Sequence, residues 1–579
     1  MTSRDSRNWP LPSSVTSATT GDTDSGEKSN YIVEEAAETQ VVGTTRLYEN
    51  GELRFIPMPT PDPKDPLNLP TWRKWFAIGT LCFFGSLGLS AEIIIGSLLP
   101  VFLLEYSGVD PRILNKIDFV ASSGGQSLNV NPMSVVPPGV QPVPIGKVAL
   151  LATIPFLGNG IASYFLVPLS IAIGRRPVLL FAAICAWAGG LWAGFSTSLE
   201  MHIAARSVQG LGVGAVEALI PLIVQDMVFI HQRNRAMSVV VSSQGIIIIA
   251  LGIAAPYIAA NYTWRWLYFI TSGLGILAWI LLIVGLPETR WKRSKEELSG
   301  ARVYPIREGE KRPDLDPDYY GSRTLWTEFG LFQFGLDFKG AGLSMLNTVR
   351  TTFFPAVLWC VLANSVFVIT NQATQQISSF ALLAQGWQFQ YTGLSVIPFF
   401  AATIMVFILG GPVADKVSNS VSKWNGGARE AEHHLANLIF PFVSGVAGCF
   451  IFGTAGDNNW HWGVLLTGSF LIIFGFLSTM TILNVFIVEC YPMWAGPVLV
   501  NVSSLRLIIA FFLASQATVW ISQRGLLSTF AIYAEAMLVL SLGIPGLFFF
   551  GKRIRQWTAG KVYGIRAEKR KETATPSTV

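Results

Sequence analysis

The chain has 579 residues, of which 51% are hydrophobic and only 13% are charged, and its formal net charge is +5. Soluble domains carry roughly 25% charged residues, so this composition argues against a soluble protein and favours one that is solvated by lipid. The basic residues lie in short segments between apolar runs, which is typical of cytoplasmic loops and argues against a nucleic-acid partner.

The N-terminal segment is polar. Residues 1–75 are rich in Ser, Thr, Pro, Asp and Glu, and they lack the basic and apolar pattern of a cleaved signal peptide. This composition predicts a disordered tail, which we expect to lie in the cytoplasm. The first hydrophobic helix is then expected to direct membrane insertion.

Hydrophobic stretches of the roughly 20 residues that a membrane-spanning helix needs follow in series. The twelve predicted spans are 76–104, 148–170, 178–197, 201–225, 236–259, 266–286, 353–380, 391–412, 436–455, 463–488, 496–521 and 527–550. A polar central cytoplasmic loop at 287–352 divides them six and six. We therefore predict an all-α integral membrane protein with two six-helix bundles, at 76–286 and 353–550, and a cytoplasmic C-terminal tail at 551–579.

The distribution of Lys and Arg predicts the orientation of the chain. Basic residues such as Arg175, Arg176 and Lys416 are abundant in the connections that lie on the same side as both tails, and they are sparse on the other side. By the positive-inside rule, both termini are predicted to be cytoplasmic. On the opposite side, the sequon that begins at Asn261 is a predicted glycosylation site.

Four local patterns, in chain order, carry a resemblance to a known family. They are Asp65-Pro66-Leu67-Asn68 with Trp72-Arg73-Lys74, Gly174-Arg175-Arg176-Pro177, Arg206-Ser207-Val208-Gln209-Gly210-Leu211-Gly212, and Trp264-Arg265-Trp266 with Pro287-Glu288-Thr289-Arg290. With these patterns the chain resembles the major facilitator superfamily, in particular the fungal drug:proton antiporters with twelve helices, over about residues 60–555. The resemblance implies the major facilitator fold and transport of a small molecule.

The sequence departs from the pattern of that family in two places. Ile171 stands where the loop after the second span usually carries an acidic residue. The antiporter motif of the fifth span, GPxxGG, is replaced here by Ala255-Pro256-Tyr257-Ile258-Ala259-Ala260. These departures leave the direction of transport open.

Ionisable side chains inside the predicted spans are the candidates for proton coupling, because a charge in hydrocarbon costs about 2.5–3.5 kcal/mol. Arg206 and Glu217 are eleven positions apart and so lie on nearly one face of the fourth span, together with Gly210 and Gly214. We predict that Arg206 and Glu217 line a central cavity and take part in proton coupling. The alternative is a static ion pair or a packing seam.

Three further acidic or basic residues lie within predicted spans. Glu92 is about 24 Å into the first span. It is predicted to carry a proton or to select a cationic substrate, and the alternatives are a hydrogen bond to a neighbouring helix or a position facing the outer vestibule. Arg506 lies in the eleventh span at a depth similar to that of Glu217, so we predict that the two pair across the halves. Glu535 in the twelfth span is predicted to be structural or interfacial.

A second set of charges lies at the cytoplasmic ends of the spans. Asp226 and Glu489 end the fourth and tenth spans, which are matching positions in the two halves. A gate needs contacts that differ between two states, and these charges are suited to form them. The predicted inner gate consists of Arg175, Arg176, Asp226, Asp415, Lys416 and Glu489. The alternative is ordinary interface charge at helix ends.

Amide side chains predict the substrate cavity. Asn364, Asn371, Gln372 and Gln375 lie in the seventh span, and Gln209 lies in the fourth. So many amides in hydrocarbon are costly unless they meet water or partners. We therefore predict that these five residues line a polar, substrate-binding cavity.

The sequence lacks the patterns of an enzyme or of an ATP-driven pump. It has no phosphate-binding loop and no cluster with metal-ligand spacing, so we predict no catalysis, no cofactor and no bound metal. An ion gradient must then drive transport. We predict a monomeric, proton-coupled transporter of the plasma membrane that exports a drug, toxin or secondary metabolite. Proton-symport uptake of organic cations or polyamines and a transporter-like nutrient sensor are the alternatives.

Overall fold

The structure is a computed structural model. It describes residues 55–115, 132–137, 139–294, 297, 303–306, 312–330, 335–410, 420, 431–491 and 494–559, together with the strand residues 48–49 and 52–53. Within these ranges the chain is almost entirely helical, and the strands are the short antiparallel pair Tyr48–Glu49 and Glu52–Leu53.

Twelve helices of the described chain are long and apolar enough to cross a membrane. In order they are Thr71–Tyr106, Ile145–Ile173, Arg175–Gly194, Leu199–Met227, Ser243–Asn261, Trp264–Gly285, Pro355–Ala384, Phe389–Val406, Ala431–Asp457, Trp462–Cys490, Ala495–Arg524 and Leu526–Arg555. The predicted all-α membrane protein with twelve spans is confirmed. Because the number of spans is even, both ends of the core lie on one side, here called the terminal face, and the other side is the distal face.

Several spans are not single regular helices. The first span joins α-helix Thr71–Ile93, 3₁₀ turn Ile94–Leu98 and α-helix Leu99–Tyr106, and the fifth belongs to the longer helix Ile230–Asn261. The eighth span begins with 3₁₀ segment Phe389–Val396 and continues as α-helix Ile397–Gly410, and the ninth begins with 3₁₀ segment Ala431–Leu438 and continues as α-helix Ile439–Asp457. The twelfth span consists of the two α-helices Leu526–Ser541 and Gly543–Ala559. The break in the first span follows Glu92 by one residue, so this carboxylate lies where the helix changes geometry.

Short helices connect the spans. They are the 3₁₀ turns Pro66–Asn68, Pro111–Asn115 and Pro132–Val135, the α-helices Pro317–Tyr320 and Leu325–Phe329, and the longer α-helix Phe338–Thr352, here called the linker helix.

Small residues allow the spans within each half to pack closely. The fourth span packs against the second, where Gly210 meets the backbone of Pro155 at a distance that leaves no room for a side chain. In the second half, Gly448 of the ninth span meets the tenth span at Ile472 in the same way. Across the halves, the second span packs on the eleventh, the fifth on the eighth, and the first against the seventh. Close backbone approach of this kind is what holds helices together in lipid.

The order of the N-terminal segment differs from the prediction. We predict disorder up to residue 75, but residues 55–70 are ordered and the first helix begins at Thr71. Asp65 lies 2.6 Å from Arg293, and the two side chains are 0% and 8% exposed. A buried carboxylate with a buried guanidinium partner fixes this segment, and composition alone does not reveal a partner so distant in the chain. The rest of the predicted tail, apart from the two strands, lies outside the described residues.

The central segment, predicted as a polar loop, contains packed structure. Arg73 and Glu328 form an ion pair of 2.7 Å, and Arg323 donates to the carbonyls of Pro63 and Asp65. The linker helix packs against the second and eleventh spans. The polar composition of this segment therefore reflects its position at the terminal face and not a lack of structure.

Candidate functional site

Arg206, on the fourth span, is completely buried. Its Nε donates to the carbonyl of Leu151 at 3.1 Å, and its Nη1 donates to the carbonyl of Ala91 at 2.7 Å and to Oε1 of Gln209 at 2.5 Å. These acceptors belong to the second, first and fourth spans. Burial of a charged side chain requires such partners, so Arg206 holds three spans of the first half together.

Glu217 lies eleven residues farther along the fourth span, where it contacts the second half. Its Oε2 lies 2.6 Å from Nη2 of Arg506 on the eleventh span, and the two side chains are 16% and 2% exposed. This is the pair that we predict from their similar depth. Within the described residues, Nε and Nη1 of Arg506 have no hydrogen-bond partner. The fourth and eleventh spans are therefore joined by a buried ion pair in which the arginine retains free donors.

Glu92 lies close to both arginines. It is buried, and its Oε2 accepts a hydrogen bond of 3.3 Å from Nδ2 of Asn159 on the second span. Its Oε1 is buried and has no partner among the described residues. Glu92 also interacts electrostatically with Glu217, Arg206 and Arg506. The arrangement leaves one carboxylate oxygen available to a proton or to a donor group of a ligand.

The seventh span presents buried amides, as predicted. The side chain of Gln372 donates to the carbonyl of Ala152 on the second span at 3.3 Å, and Gln375 lies against Gly96 in the 3₁₀ turn of the first span. Both residues therefore contact the first half.

Other amides of the seventh span have unused polar atoms. Asn364 and Gln376 are completely buried, and in the described part of the chain neither the nitrogen nor the oxygen of either amide has a partner. The oxygen of Asn371 is also buried and unpaired there. An unpaired buried polar group costs about 1–3 kcal/mol, so these amides favour a site that water or a ligand completes.

Gln209 is not placed as predicted. Its side chain accepts from Arg206 and lies against Gly190 of the third span, inside the first half. There it borders a cavity of about 20 Å³ with Ser272 and other residues, which has room for a water molecule but not for an organic substrate. Gln209 therefore positions Arg206, because the amide is the nearest acceptor one helical turn away.

The predicted gate residues of the first half meet each other. Nε of Arg175 lies 2.7 Å from Oδ2 of Asp226, with side chains 19% and 25% exposed. The backbone amides of Arg175 and Arg176 donate to the carboxylate of Glu288 at 3.0 and 3.2 Å. Arg176 also donates to the carbonyls of Ile283, at 2.7 Å, and Phe329. The loop after the second span is thus bonded to the fourth and sixth spans of its own half.

The matching acidic residue of the second half also has a partner in its own half. Oε2 of Glu489 lies 3.1 Å from Nε2 of His434, at the terminal-face end of the ninth span. Asp415 and Lys416 lie outside the described residues. Arg175 and Asp226 are therefore brought together as predicted, and the gating role of the set stays a prediction.

Asn501 forms a contact between the halves that the sequence analysis does not predict. It is completely buried, and its Nδ2 donates to the carbonyl of Thr348 at 2.6 Å and to Oγ1 of Thr351 at 2.9 Å. Its Oδ1 accepts from the hydroxyls of Tyr164 at 2.8 Å and Thr352 at 2.9 Å. Asn501 thus uses both donors and both acceptor sites to join the second span, the eleventh span and the linker helix, an arrangement we call the Asn501 clasp.

Two predicted residues lie apart from these clusters. Asn261 is exposed at the distal-face end of the fifth span, and its Nδ2 donates to the carbonyl of Tyr257 at 2.9 Å. Glu535 is exposed on the twelfth span. Neither belongs to the buried cluster of Glu92, Glu217 and Arg506.

Comparison with known proteins agrees with this architecture. The sequence model described as Major Facilitator Superfamily matches residues 76–505. Protein HOL1 of Saccharomyces cerevisiae is 22% identical, with 87% of this chain and 90% of HOL1 covered. Efflux pump vrtL of Penicillium aethiopicum is 23% identical, with 71% of this chain and 78% of vrtL covered.

A solved structure shares the fold. The xylose transporter XylE of E. coli, in a partially occluded inward-open conformation, matches with a TM-score of 0.54 at 13% identity, covering 82% of this chain and 97% of XylE. The family match covers most of the twelve spans, and members of this family are transporters and not enzymes. The chain is therefore a multi-pass membrane transporter that belongs to the Major Facilitator Superfamily.

Proposed function

We propose that this transporter is a proton-coupled secondary transporter that exports a small organic molecule, such as a drug, toxin or secondary metabolite. The observation that carries the proposal is the 2.6 Å ion pair of Glu217 and Arg506, which joins the two halves. Beside it lies Glu92, whose Oε1 is buried without a partner among the described residues. Titratable groups at a contact between two moving halves are suited to convert protonation into conformational change.

The proposed coupling follows from Coulomb attraction. Protonation of Glu217 removes its negative charge, so its attraction to Arg506 is largely lost, and the fourth and eleventh spans are free to separate. Glu92 interacts electrostatically with both members of the pair. In the proposed cycle it accepts a proton or replaces Glu217 as the ion-pair partner of Arg506. Because a ligand shifts a conformational equilibrium only through its different affinity for the two states, export in exchange for protons requires that substrate and proton favour different arrangements of the two halves.

The amides of the seventh span support a role in substrate recognition. Asn364 and Gln376 offer donors and acceptors that no other described residue uses. They are uncharged, so their hydrogen bonding does not change with pH, and they suit a substrate with several polar groups. We infer that the amides bind substrate while the carboxylates bind protons.

Two relatives support export. The protein vrtL of Penicillium aethiopicum is named an efflux pump, and mfs2 of Aspergillus flavus is named a probable efflux pump; each is 23% identical to this chain. The second candidate is proton-coupled uptake of an organic cation or polyamine, and it is favoured by the free oxygen of Glu92 and by the altered motif Ala255-Pro256-Tyr257-Ile258-Ala259-Ala260.

We also propose a monomer in the plasma membrane with the terminal face in the cytoplasm. Arg175, Arg176, Lys552 and Arg553 support this orientation, because they lie on the terminal face. In this orientation Asn261 is extracellular and accessible to glycosylation, and the gate set acts on the cytoplasmic side.

The test begins with a growth-resistance screen of cells that lack or overproduce the protein. A compound that the overproducing cells tolerate is then loaded, radiolabelled, into sealed membrane vesicles, with radiolabelled spermidine as the cationic probe. Export driven by an opposing proton gradient supports the first proposal. Proton-driven uptake of spermidine contradicts the proposal of export and supports the second candidate. Flux of the compound that does not depend on the proton gradient contradicts the proposed coupling.

A further inference from the structure

His202 lies near the distal-face end of the fourth span, which begins at Leu199. The side chain is completely buried, and both nitrogens of its ring have hydroxyl partners. Its Nδ1 lies 2.9 Å from the hydroxyl of Tyr106 on the first span, and its Nε2 lies 2.8 Å from the hydroxyl of Tyr268 on the sixth. One imidazole therefore connects hydroxyl groups that belong to two other spans.

Tyr106 gives these hydrogen bonds access to the distal face. It is the last residue of the first span, and it is only half-buried. The neighbouring Glu105 forms a partly exposed ion pair of 3.1 Å with Arg265, so the surroundings of Tyr106 are polar. Water at the distal face therefore reaches the hydroxyl of Tyr106, whereas His202 and Tyr268 are buried beneath it.

Polar groups continue deeper into the first half from this point. Ser272 follows Tyr268 by one turn on the sixth span, and Gln209 follows His202 by two turns on the fourth. Both border the cavity of about 20 Å³, which has room for a water molecule. The hydroxyl of Ser272 is buried and has no partner among the described residues, so a water in this cavity has a polar group to bind.

The cavity extends to the neighbourhood of Glu92. Ala91 lines it, and the carboxylate of the next residue, Glu92, has a buried Oε1 without a partner in the described part of the chain. Arg206 fixes this region, because its Nη1 donates both to the carbonyl of Ala91 and to the side chain of Gln209. A polar path therefore leads from the distal face toward a buried carboxylate.

We propose that Tyr106, His202 and Tyr268 form a proton relay between water at the distal face and the carboxylate of Glu92. With the ring proton on Nε2, Tyr106 accepts a proton from water and donates its own hydroxyl proton to Nδ1 of His202. Nε2 releases its proton to the oxygen of Tyr268, whose hydroxyl proton passes through the cavity water to Glu92. Rotation of the hydroxyls and return of the ring to its first tautomer restore the starting arrangement.

The surroundings of His202 suit transfer of a proton better than its storage. The charged groups that act on the ring are the guanidiniums of Arg206 and Arg265, and repulsion from two cations opposes a lasting positive charge there. The ring stacks on Trp264 with centroids 5.1 Å apart, and Phe102 packs against it edge-on, so the imidazole is held between the two hydroxyls.

The inference rests on the proposed proton coupling and adds the route of the proton. H202Q tests it in proteoliposomes that contain the purified full chain, because Gln can bond both hydroxyls but has no second tautomer through which a proton can pass. The probe is the compound identified by the resistance screen. We expect exchange without a gradient to be retained, and the initial rate of accumulation driven by an imposed pH gradient to fall about a hundredfold.

A second variant and a matched control accompany H202Q. Y268F removes only the hydroxyl that follows the imidazole, and it should have the same effect on the two fluxes. H461Q makes the same change at an exposed histidine at the distal-face start of the tenth span, and it should leave both fluxes unchanged. Thermal unfolding identifies a variant that fails to fold, and the other variant then decides.

The outcomes separate the relay from the proposed coupling. Accumulation by H202Q and Y268F equal to that of the unchanged chain overturns the relay and leaves the coupling intact. Equal losses of exchange and accumulation also overturn the relay, because the cluster then only maintains the structure. Exchange without any gradient-driven accumulation in the unchanged chain contradicts the proposed coupling itself, and the relay with it.

Discussion

The buried polar side chains of the first half differ in kind from those of the seventh span. The first half carries the buried charged residues Glu92 and Arg206 and the partly buried Glu217, whereas the seventh span carries buried amides such as Asn364 and Gln376. A carboxylate changes its charge when it takes a proton, and an amide does not. This difference is the basis of the proposed division of labour, in which the first half responds to protons and the seventh span binds substrate.

The two regions also differ in how completely their groups are paired. Arg206 donates to Leu151, Ala91 and Gln209, and only its Nη2 lacks a partner among the described residues. Neither polar atom of the Asn364 amide has a partner there. A mostly paired group maintains a structure, while an unpaired one leaves binding energy for a ligand or water.

Arg506 is the position at which a substitution should have the largest effect, because it links the charged half to the other half. R506Q leaves Glu217 buried without its partner, and loss of one member of a buried pair costs about 3–5 kcal/mol. We expect a lower melting temperature and no proton-driven flux in vesicles.

The charge exchange E217R/R506E is the matched control for this substitution. It should recover part of the melting temperature, since the pair is restored in reverse. Equal stability of R506Q and the unchanged chain would show that the 2.6 Å pair does not join the halves.

Loss of the Asn501 clasp should have the second-largest effect on stability. N501A removes four hydrogen bonds, among them one donated to the Thr348 carbonyl and one accepted from the Tyr164 hydroxyl. We expect the free energy of unfolding to fall by about 2 kcal/mol, because several buried groups lose a partner. Thermal unfolding measures this loss of stability, and S503A, a substitution on the same span, is the control. Ser503 donates only to carbonyls of its own helix, so its removal should cost much less.

Substitution of an unpaired amide should separate binding from stability. N364L replaces a buried group without a described partner, so we expect the free energy of unfolding to stay the same or to rise, while the KM for the exported substrate rises about tenfold. S378A is the control, because Ser378 donates within its own helix to the Thr374 carbonyl. An unchanged KM in N364L would remove the seventh span from the proposed binding site.

The gate charges should have the smallest effect on stability. Asp226 and Glu489 have side chains 25% and 38% exposed, and partly exposed ion pairs contribute about 0–1 kcal/mol. D226N/E489Q should therefore fold and insert normally but stop transport, as measured by surface expression and vesicle flux. Normal flux in this double variant rejects the gate and leaves these acids as structural charges at helix ends.

The sequence predicts those features that depend on local composition or on the depth of a residue in the membrane. Hydropathy yields the twelve spans, and similar depth predicts the pair of Glu217 and Arg506. It does not predict contacts that depend on three-dimensional partners far apart in the chain. Asp65 meets Arg293 across 228 residues, and Asn501 meets Thr351 across 150, so neither contact leaves a periodic pattern.

Gln209 illustrates the same limit within one helix. A polar residue in a span predicts a partner, but the sequence does not say whether that partner is a substrate or a neighbouring side chain. Here it is Arg206, three residues earlier, and the amide borders a cavity too small for a substrate.

Proton coupling at the pair of Glu217 and Arg506 is the central claim, and transport by E217Q in proteoliposomes tests it most directly. Two fluxes of the substrate identified by the resistance screen are measured in the same preparation. One is exchange without a gradient, and the other is accumulation driven by an imposed pH gradient. The account predicts that E217Q retains exchange and loses accumulation, because the neutral amide cannot take up or release the proton. Accumulation by E217Q equal to that of the unchanged chain would contradict it.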